Sequence, residues 1–427
     1  MGRNPAVSGR GTSEAPAPER VLWVVNSVPH EASVLFGETP QPFGGWVEAA
    51  AEGLRSLGVR PLIAHPAPRS HAPADGASAR HVALARSNFA AELDRLVVGW
   101  SPTVMHVHGT EFPEALEAVR VGRRRGIPTI ISVQGLLSVY AHHYMHDIPF
   151  PTRYGFTFRD VVRRRNPALE RRQFELRGKT EQEALRSADH VVGRTDWDRA
   201  CVLNINPRAN YHHCNETLRA PFYATRWDAR HCQEHSIFMS QGAYPIKGLH
   251  QALKALALLL TDFPDAHLHV AGPDPTHSHR RLSRIRVGSF GRYIRRLTRQ
   301  LGLEKHVTYV GLLDSHQVAE RLKISNAFIM PSSVENSPNS LGEAMMVGTP
   351  AIATFVGGIP SLVGEGSGVA LVPASTPYML AYEIKRIFED RQAAVLRSEL
   401  ARRRAREVHD PRLNAATLHG IYQDASA

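Results

Sequence analysis

The stretch from Ile329 to Pro360 constrains the fold of this 427-residue chain more than any other. It opens with an apolar run that ends at Pro331. Because proline cannot continue a hydrogen-bonded ladder, this run predicts a buried strand that ends there. A loop rich in Ser, Asn and Pro follows. The S-x-x-E spacing from Ser340 to Glu343 then predicts a capping box at the start of a buried helix, which Gly348 ends.

A second apolar run, from Ala351 to Phe355, completes a strand–helix–strand unit of a parallel sheet. Ligands of such sheets bind at the carboxyl ends of the strands, where this loop carries Glu335 and the helix carries Glu343. Backbone N–H groups at a helix N-terminus favour an anion such as a diphosphate, and carboxylates favour hydroxyl groups. A nucleotide sugar carries a diphosphate, a sugar and a ribose, so we expect a nucleotide sugar as the ligand.

The E-x7-E spacing of Glu335 and Glu343, followed by EAMMVGTPAIATFVGGIP, resembles the signature of the retaining glycosyltransferases of family 4. The resemblance implies the GT-B fold: α/β, with two doubly wound parallel-sheet (Rossmann-like) domains that face each other across a cleft. It implies that Glu335 contacts the donor sugar and Glu343 the ribose, while the amides of Asn339, Ser340 and Leu341 bind the diphosphate. Taken alone, the two glutamates are also consistent with a solvated loop acid and a capping-box partner.

Two motifs in the first half resemble the same family. Gly44-Gly45 opens a helix after the first apolar run, at the place where the family's Gly-Gly loop lies beside the donor diphosphate. A strand from Thr103 to Val107 leads into His106-Val107-His108, which resembles an H-x-H motif whose second histidine reaches the donor sugar. We expect His106 to be structural and His108 to be catalytic.

A third motif lies at the start of the second half, where Gln241-Gly242-Ala243 leads to Lys247. The family pattern has an arginine directly after the glycine and a lysine a few residues later, both on the donor phosphates. Gly242 and Lys247 match this pattern and Ala243 does not. One cation of the expected clamp is therefore missing, and we expect Lys247 to stabilise the charge that develops on the leaving diphosphate.

The chain is basic, with a formal net charge of +11. Much of this charge lies in two arginine-rich stretches, Arg159 to Lys179 and His279 to Gln300. Such stretches attract an anionic membrane surface, a phosphorylated acceptor or nucleic acid, although a solvated helix face is slightly more common for any one such stretch. Nucleic acid is the weakest of these candidates, because no recognised DNA- or RNA-binding module is present.

The length favours two domains, and no apolar run is long enough to span a bilayer. We expect a disordered N-terminal lead (1–19), an acceptor-side Rossmann-like domain (20–215), a linker (216–234), a nucleotide-sugar-binding Rossmann-like domain (235–409) and a C-terminal helix that crosses back to the first domain (410–427). Within the first domain, a strand from Pro61 to Ala64 is followed by a flexible segment through Gly76. The crossover from the first domain into the linker reads Cys214-Asn215-Glu216-Thr217-Leu218-Arg219, where family members carry an N-G-V-D turn.

The resemblance therefore implies a retaining hexosyltransferase, which we expect to move a sugar from a nucleoside diphosphate sugar to a glycan or lipid-linked acceptor in surface polysaccharide biosynthesis. We expect no cofactor and no metal, because the family requires none and no D-x-D segment lies in a catalytic-looking position. We expect the chain in the cytoplasm, peripheral on the inner face of the membrane; three cysteines without metal-ligand spacing suit a reducing compartment. The alternatives are a nucleotide-sugar epimerase, a glycosyltransferase of small natural products, an enzyme that cleaves glycans with water or phosphate, and a binding protein.

Overall fold

The computed structural model describes residues 19–38, 45–276 and 287–426. Almost all of the expected N-terminal lead, Gly44, and residues 279–286 of the second arginine-rich stretch lie outside these ranges.

The first half of the chain forms one sheet. Its strands are β1 (Val21–Val25), β2 (Leu62–Ala67), β3 (His71–Asp75), β4 (Arg80–Ala85), β5 (Val104–His108), β6 (Thr129–Ser132), β7 (His190–Gly193) and β8 (Asn210–His213). The spatial order is β3-β4-β2-β1-β5-β6-β7-β8, and neighbouring strands are parallel except for the antiparallel pair β3 and β4. The order reverses between β1 and β5, so the loops after these two strands open a crevice at one edge of the sheet.

The second half forms another parallel sheet. Its strands are β9 (Gln233–Met239), β10 (His267–Ala271), β11 (Val307–Gly311), β12 (Ser325–Met330), β13 (Ala351–Thr354) and β14 (Ala370–Val372). The spatial order is β11-β10-β9-β12-β13-β14. Here the order reverses between β9 and β12, and their loops carry Lys247 and Glu335. The predicted fold of two doubly wound sheets is therefore confirmed.

Helices cover both sheets. In the first half they are α1 (His30–Leu35), α2 (Gly45–Ser56), α3 (Phe89–Trp100), α4 (Pro113–Arg125), α5 (Leu137–His143), α6 (Phe150–Tyr154), α7 (Phe158–Arg163), α8 (Pro167–Ser187) and α9 (Asp196–Ile205). In the rest of the chain they are α10 (Ala220–Ala224), α11 (Leu249–Leu259), α12 (Ser289–Gln300), α13 (Ser315–Ile324), α14 (Asn339–Val347), α15 (Ile359–Val363), α16 (Pro377–Glu389), α17 (Arg391–Val408) and α18 (Pro411–Ser426). Within the described residues, none of these helices is both long enough and apolar enough to cross a bilayer.

The last helix, α18, lies on the first sheet. Its Tyr422 is fully buried, and the Tyr422 hydroxyl accepts a hydrogen bond from Trp23 Nε1 at 2.8 Å. The same hydroxyl lies 2.7 Å from His106 Nδ1, and His106 Nε2 lies 2.6 Å from Ser132 Oγ. A buried hydrogen-bond network of four side chains thus connects the last helix to strands of the first sheet.

Two local predictions are wrong. The segment before Gly76 is not a flexible connection, because it contains the edge strand β3, which is largely exposed and carries Pro73; edge strands tolerate proline because one row of N–H groups is unpaired. The capping box at Ser340 does not form, because the N-cap is Pro338, two residues before Ser340, and it makes no side-chain cap. The end of the helix at Gly348 is as predicted, with φ +89°.

Candidate active site

A central cleft of about 420 Å³ lies between the two sheets, at the points where both strand orders reverse. Gly45 and Trp46 of α2 line it from the first half, and Thr217, Leu218 and Arg219 line it from the linker. From the second half the lining residues include Ser240, Gln241, Tyr244, Lys247, Leu312, Leu313, Asn339, Ser340 and Glu343. The cleft thus contains five of the residues predicted from sequence: Gly45, Lys247, Asn339, Ser340 and Glu343.

Lys247 and Glu335 form an ion pair at one side of the cleft. Lys247 Nζ lies 2.6 Å from Glu335 Oε1, and Ser332 Oγ donates to the same oxygen at 2.8 Å. The Lys247 side chain is 27% exposed and the Glu335 side chain only 7%. The lysine therefore faces the cleft, with the carboxylate behind it.

Close backbone packing fixes both partners of this pair. Gly248 has φ +75°, and a Cβ atom there would lie 1.9 Å from Pro331 O. Gly357 has φ +53°, and a Cβ atom there would lie 1.9 Å from Glu335 O. No larger residue fits either position, so the glycines that follow Lys247 and β13 hold the two charged loops against each other.

Glu343 forms a second ion pair, with Arg219 of the linker. Arg219 Nη2 donates to Glu343 Oε1 at 2.6 Å, and the guanidinium lies over the Phe222 ring at 5.0 Å. Burial raises the pKa of Glu343, and the Arg219 charge opposes that rise. Glu343 therefore acts as an ion-pair partner here rather than as the predicted capping residue.

The N-terminus of α14 lines the same cleft as Lys247 and Arg219. The N–H groups of Asn339 and Ser340 have no hydrogen-bond partner among the described residues. The Leu341 N–H donates to Pro338 O at 3.0 Å, and the Leu341 side chain is buried in the core. Two of the three amides expected to bind a diphosphate are thus free, and the third belongs to the first turn of the helix.

His108 lies behind the cleft rather than on its wall. Its ring lies 4.6 Å from Trp23 and 5.2 Å from Trp46, measured between ring centroids, and it lines a separate cavity of about 40 Å³. Burial lowers the pKa of His108 to about 3, and its Nε2 atom has no hydrogen-bond partner in the described part of the chain. Trp46 lines both cavities, so this side chain separates the neutral imidazole from the cleft.

Gly242 follows β9 and is buried. A Cβ atom there would lie 2.7 Å from Val270 Cγ1, so the residue packs the strand end against β10. Among the described residues no cluster of His, Cys, Asp or Glu side chains is arranged to hold a metal ion.

Sequence reasoning missed two residues of the linker. Glu216 accepts a hydrogen bond from Asn339 Nδ2 at 2.7 Å and another from Gln134 Nε2 at 2.6 Å, and it pairs with Arg194 at 2.8 Å. Arg219 enters the cleft as described above. The available signal was the departure from the N-G-V-D turn, because both charged residues lie inside the departing segment.

Residues 228–407 match the family model described as "Glycosyl transferases group 1". The chain is 28% identical over 189 residues to D-inositol 3-phosphate glycosyltransferase of Corynebacterium glutamicum. The aligned residues make up 43% of this chain and 42% of that protein. The chain is 31% identical over 159 residues to a Salmonella typhimurium protein named "Putative colanic acid biosynthesis glycosyltransferase WcaL", with coverage of 35% and 36%. The chain thus spans about two-fifths of the length of these relatives.

Among solved structures, Anabaena Alr3699/HepE in complex with UDP superposes with a TM-score of 0.66 at 13% identity, over 95% of this chain and 100% of that one. Residues 228–407 are therefore similar in sequence to the group 1 glycosyl transferases, and the chain has the GT-B fold.

Proposed function

We propose that this protein is a retaining hexosyltransferase of the family 4 type. It transfers a sugar from a nucleoside diphosphate sugar to a glycan or lipid-linked acceptor. One observation carries the proposal: a single cleft is lined by the cations of two cation–carboxylate pairs and by an uncapped helix N-terminus. The similarity of residues 228–407 to group 1 glycosyl transferases supports it. A UDP complex of a protein with the same fold supports a nucleotide as part of the donor.

The donor fits the cleft by chemical type. The diphosphate binds Lys247 and the free amides of Asn339 and Ser340, and the ribose hydroxyls donate to Glu343. Glu335 orients the sugar. Leu312 and Leu313 supply an apolar end for the base, and Gly45, which has no side chain, lets the phosphates approach the backbone at the start of α2. This set of groups needs neither a metal nor a resident cofactor.

The reaction breaks the bond between the anomeric carbon and the phosphate oxygen and forms one from that carbon to the acceptor oxygen. In the front-face mechanism the acceptor enters on the side that the diphosphate leaves, and its proton passes to the departing phosphate. Lys247 stabilises the negative charge that grows there. His108 is neutral because of its low pKa, and it supports the positive charge of the sugar once Trp46 moves aside.

The acceptor side faces an anionic membrane in this proposal. Large apolar side chains are exposed on and around α6, α7 and α8, namely Phe150, Tyr154, Phe156, Phe158, Val161, Val162 and Leu176. Among them lie Arg163, Arg164 and Arg172, which have no carboxylate partner among the described residues. We call these ten residues the aromatic–arginine surface. It adjoins a cavity that shares Tyr244 with the central cleft, so a lipid-linked acceptor has a short route to the donor. WcaL, with colanic acid biosynthesis in its name, supports surface polysaccharide as the product.

The test is a transfer assay with UDP-, GDP-, ADP- and dTDP-sugars, each with and without an extract of lipid-linked glycans. We expect one donor to release its nucleoside diphosphate only when acceptor is present, with a matching mass gain in the acceptor and the anomeric configuration retained. A ligand at a hundred times its Kd also raises the free energy of unfolding by about 2.7 kcal/mol, which identifies the donor independently. Isomerisation of free donor would instead show an epimerase, and transfer to small hydroxylated compounds alone would show a natural-product enzyme.

A further inference from the structure

The linker that joins the two sheets is built into the central cleft through Arg219. The guanidinium lies over the Phe222 ring at 5.0 Å and donates to Glu343 Oε1 at 2.6 Å. Its aliphatic part packs on Gly45, where an added Cβ atom would lie 2.8 Å from Arg219 Cδ. Arg219 is therefore held between the first residue of α2 and the first two turns of α14.

The basic side chains of the cleft are too few for a diphosphate to be balanced without Arg219. Among the described residues that line the cleft, Arg219 and Lys247 are the only basic ones. Each is paired with a buried carboxylate, so neither presents a full uncompensated charge while the cleft is empty. A diphosphate that enters the cleft brings at least two negative charges, and Lys247 alone does not balance them.

Arg219 has the unused donors that a second anion requires. Its Nη2 atom serves Glu343, and among the described residues its Nε and Nη1 atoms have no hydrogen-bond partner. The side chain is 25% exposed, against 8% for Glu343. A guanidinium has five N–H donors in a planar fork and binds phosphate oxygens in pairs.

We propose that Arg219 is the second cation for the diphosphate of the donor, and that donor binding transfers it from Glu343 to the phosphate. The inference rests on the proposed function. As the ribose hydroxyls donate to the Glu343 carboxylate, they replace the hydrogen bond that Arg219 supplies in the empty cleft. Arg219 then turns its fork to the phosphate oxygens and stabilises the charge that grows on them as the glycosidic bond breaks. Ala243 carries no charge, and Arg219 of the linker supplies the missing positive charge.

A first screen finds which of UDP, GDP, ADP and dTDP stabilises the wild-type protein most. Calorimetry then measures the affinity of each variant for that nucleoside diphosphate and for the corresponding nucleoside. Arg219→Gln removes the guanidinium charge and leaves the Glu343 carboxylate in place for the ribose hydroxyls, so nucleoside affinity stays within about threefold of wild type. Affinity for the diphosphate falls about 10- to 100-fold, the usual cost of removing a hydrogen bond to a charged group. Glu343→Gln behaves differently, because it weakens the contact with the ribose hydroxyls but leaves Arg219 free for the phosphates. The diphosphate therefore loses less affinity than the nucleoside does.

Arg386→Gln is the matched control. Arg386 also lies over an aromatic ring, Tyr382 at 5.9 Å, and pairs with a carboxylate, Glu383 at 3.0 Å, but on α16 away from the cleft. We expect wild-type affinity for both ligands. Circular dichroism and the Tm of every variant verify folding before binding is compared.

The outcomes separate the inference from the function beneath it. Equal losses for nucleoside and diphosphate in Arg219→Gln would mean that Arg219 only positions Glu343, and would overturn the inference. Unchanged binding in Arg219→Gln beside a wild-type protein that binds the diphosphate would also overturn it and leave the proposed function intact. A wild-type protein that binds none of the four diphosphates would overturn both.

Discussion

At the residue scale, the pair of Lys247 and Glu335 is buried on one side and open on the other. The carboxylate is 7% exposed, accepts from Ser332 and Lys247, and cannot move without leaving those donors unpaired. Lysine, by contrast, ends in three donors on a flexible stem, so Nζ can bind a phosphate oxygen while it stays close to Glu335. The pair thus combines a fixed carboxylate with an adjustable cation, as the roles proposed for Glu335 on the sugar and Lys247 on the diphosphate require.

Lys247→Met keeps an unbranched side chain, one atom shorter, and removes its charge. We expect kcat to fall about 10²- to 10³-fold, in the range measured when a single group that stabilises transition-state charge is removed. Initial-rate kinetics with the donor found in the transfer assay provide the measurement. Lys254→Met is the control, since Lys254 pairs with Asp147 on the surface of α11. A loss confined to KM would show that Lys247 binds the ground state and transition state equally well.

At the element scale, patterns local in sequence predicted most of what the structure shows. Strand β12, the start of β13 and the glycine that ends α14 follow from apolar runs and turn residues. Strand β3 was missed because it is largely exposed and so lacks the alternation of apolar residues that indicates a strand. It also contains a proline, which argues against a strand in a sequence. Contacts between residues distant in the chain could not be predicted either. Nothing near Glu343 in sequence shows that Arg219, 124 positions earlier, replaces the serine of its capping box.

Helix α18 provides an element-scale prediction, because Tyr422 ties it to β1 and β5. Tyr422→Phe keeps the ring but leaves the Trp23 N–H group without its acceptor in a buried site. We expect the free energy of unfolding to fall by about 1–3 kcal/mol, the cost of a buried donor without a partner. Urea unfolding followed by tryptophan fluorescence measures it.

Tyr378→Phe is the matched change on an exposed ring, 62% accessible on α16, and should alter stability by less than about 0.5 kcal/mol. Equal stabilities of the two variants would mean that the apolar face of α18, and not its hydroxyl, holds the helix on the first sheet.

At the scale of the whole molecule, the two strand reversals, the linker and the last helix together define one cleft between two halves. The sheets were predictable because each strand–helix–strand unit is local. The closeness of Glu216 to Asn339, and of Thr195 Oγ1 to Asn336 Oδ1 at 2.9 Å, depends on how the halves meet. Such contacts follow from packing across more than a hundred residues, which no periodicity in the sequence records.

The aromatic–arginine surface provides the molecule-scale prediction, binding to anionic vesicles. Arginines near an anionic surface contribute about 1 kcal/mol each, so Arg163→Gln with Arg172→Gln should weaken binding to phosphatidylglycerol-containing vesicles about 30-fold. Phe158→Ser should weaken it further, because the exposed ring inserts among the lipids. Sedimentation with vesicles at low salt measures both.

Arg403→Gln with Arg406→Gln on α17 removes the same charge from a different face, and Leu258→Ser removes a comparably exposed apolar side chain from α11. If these controls lose as much binding as the test variants, the attraction is a property of the net charge of +11 and the surface has no special role.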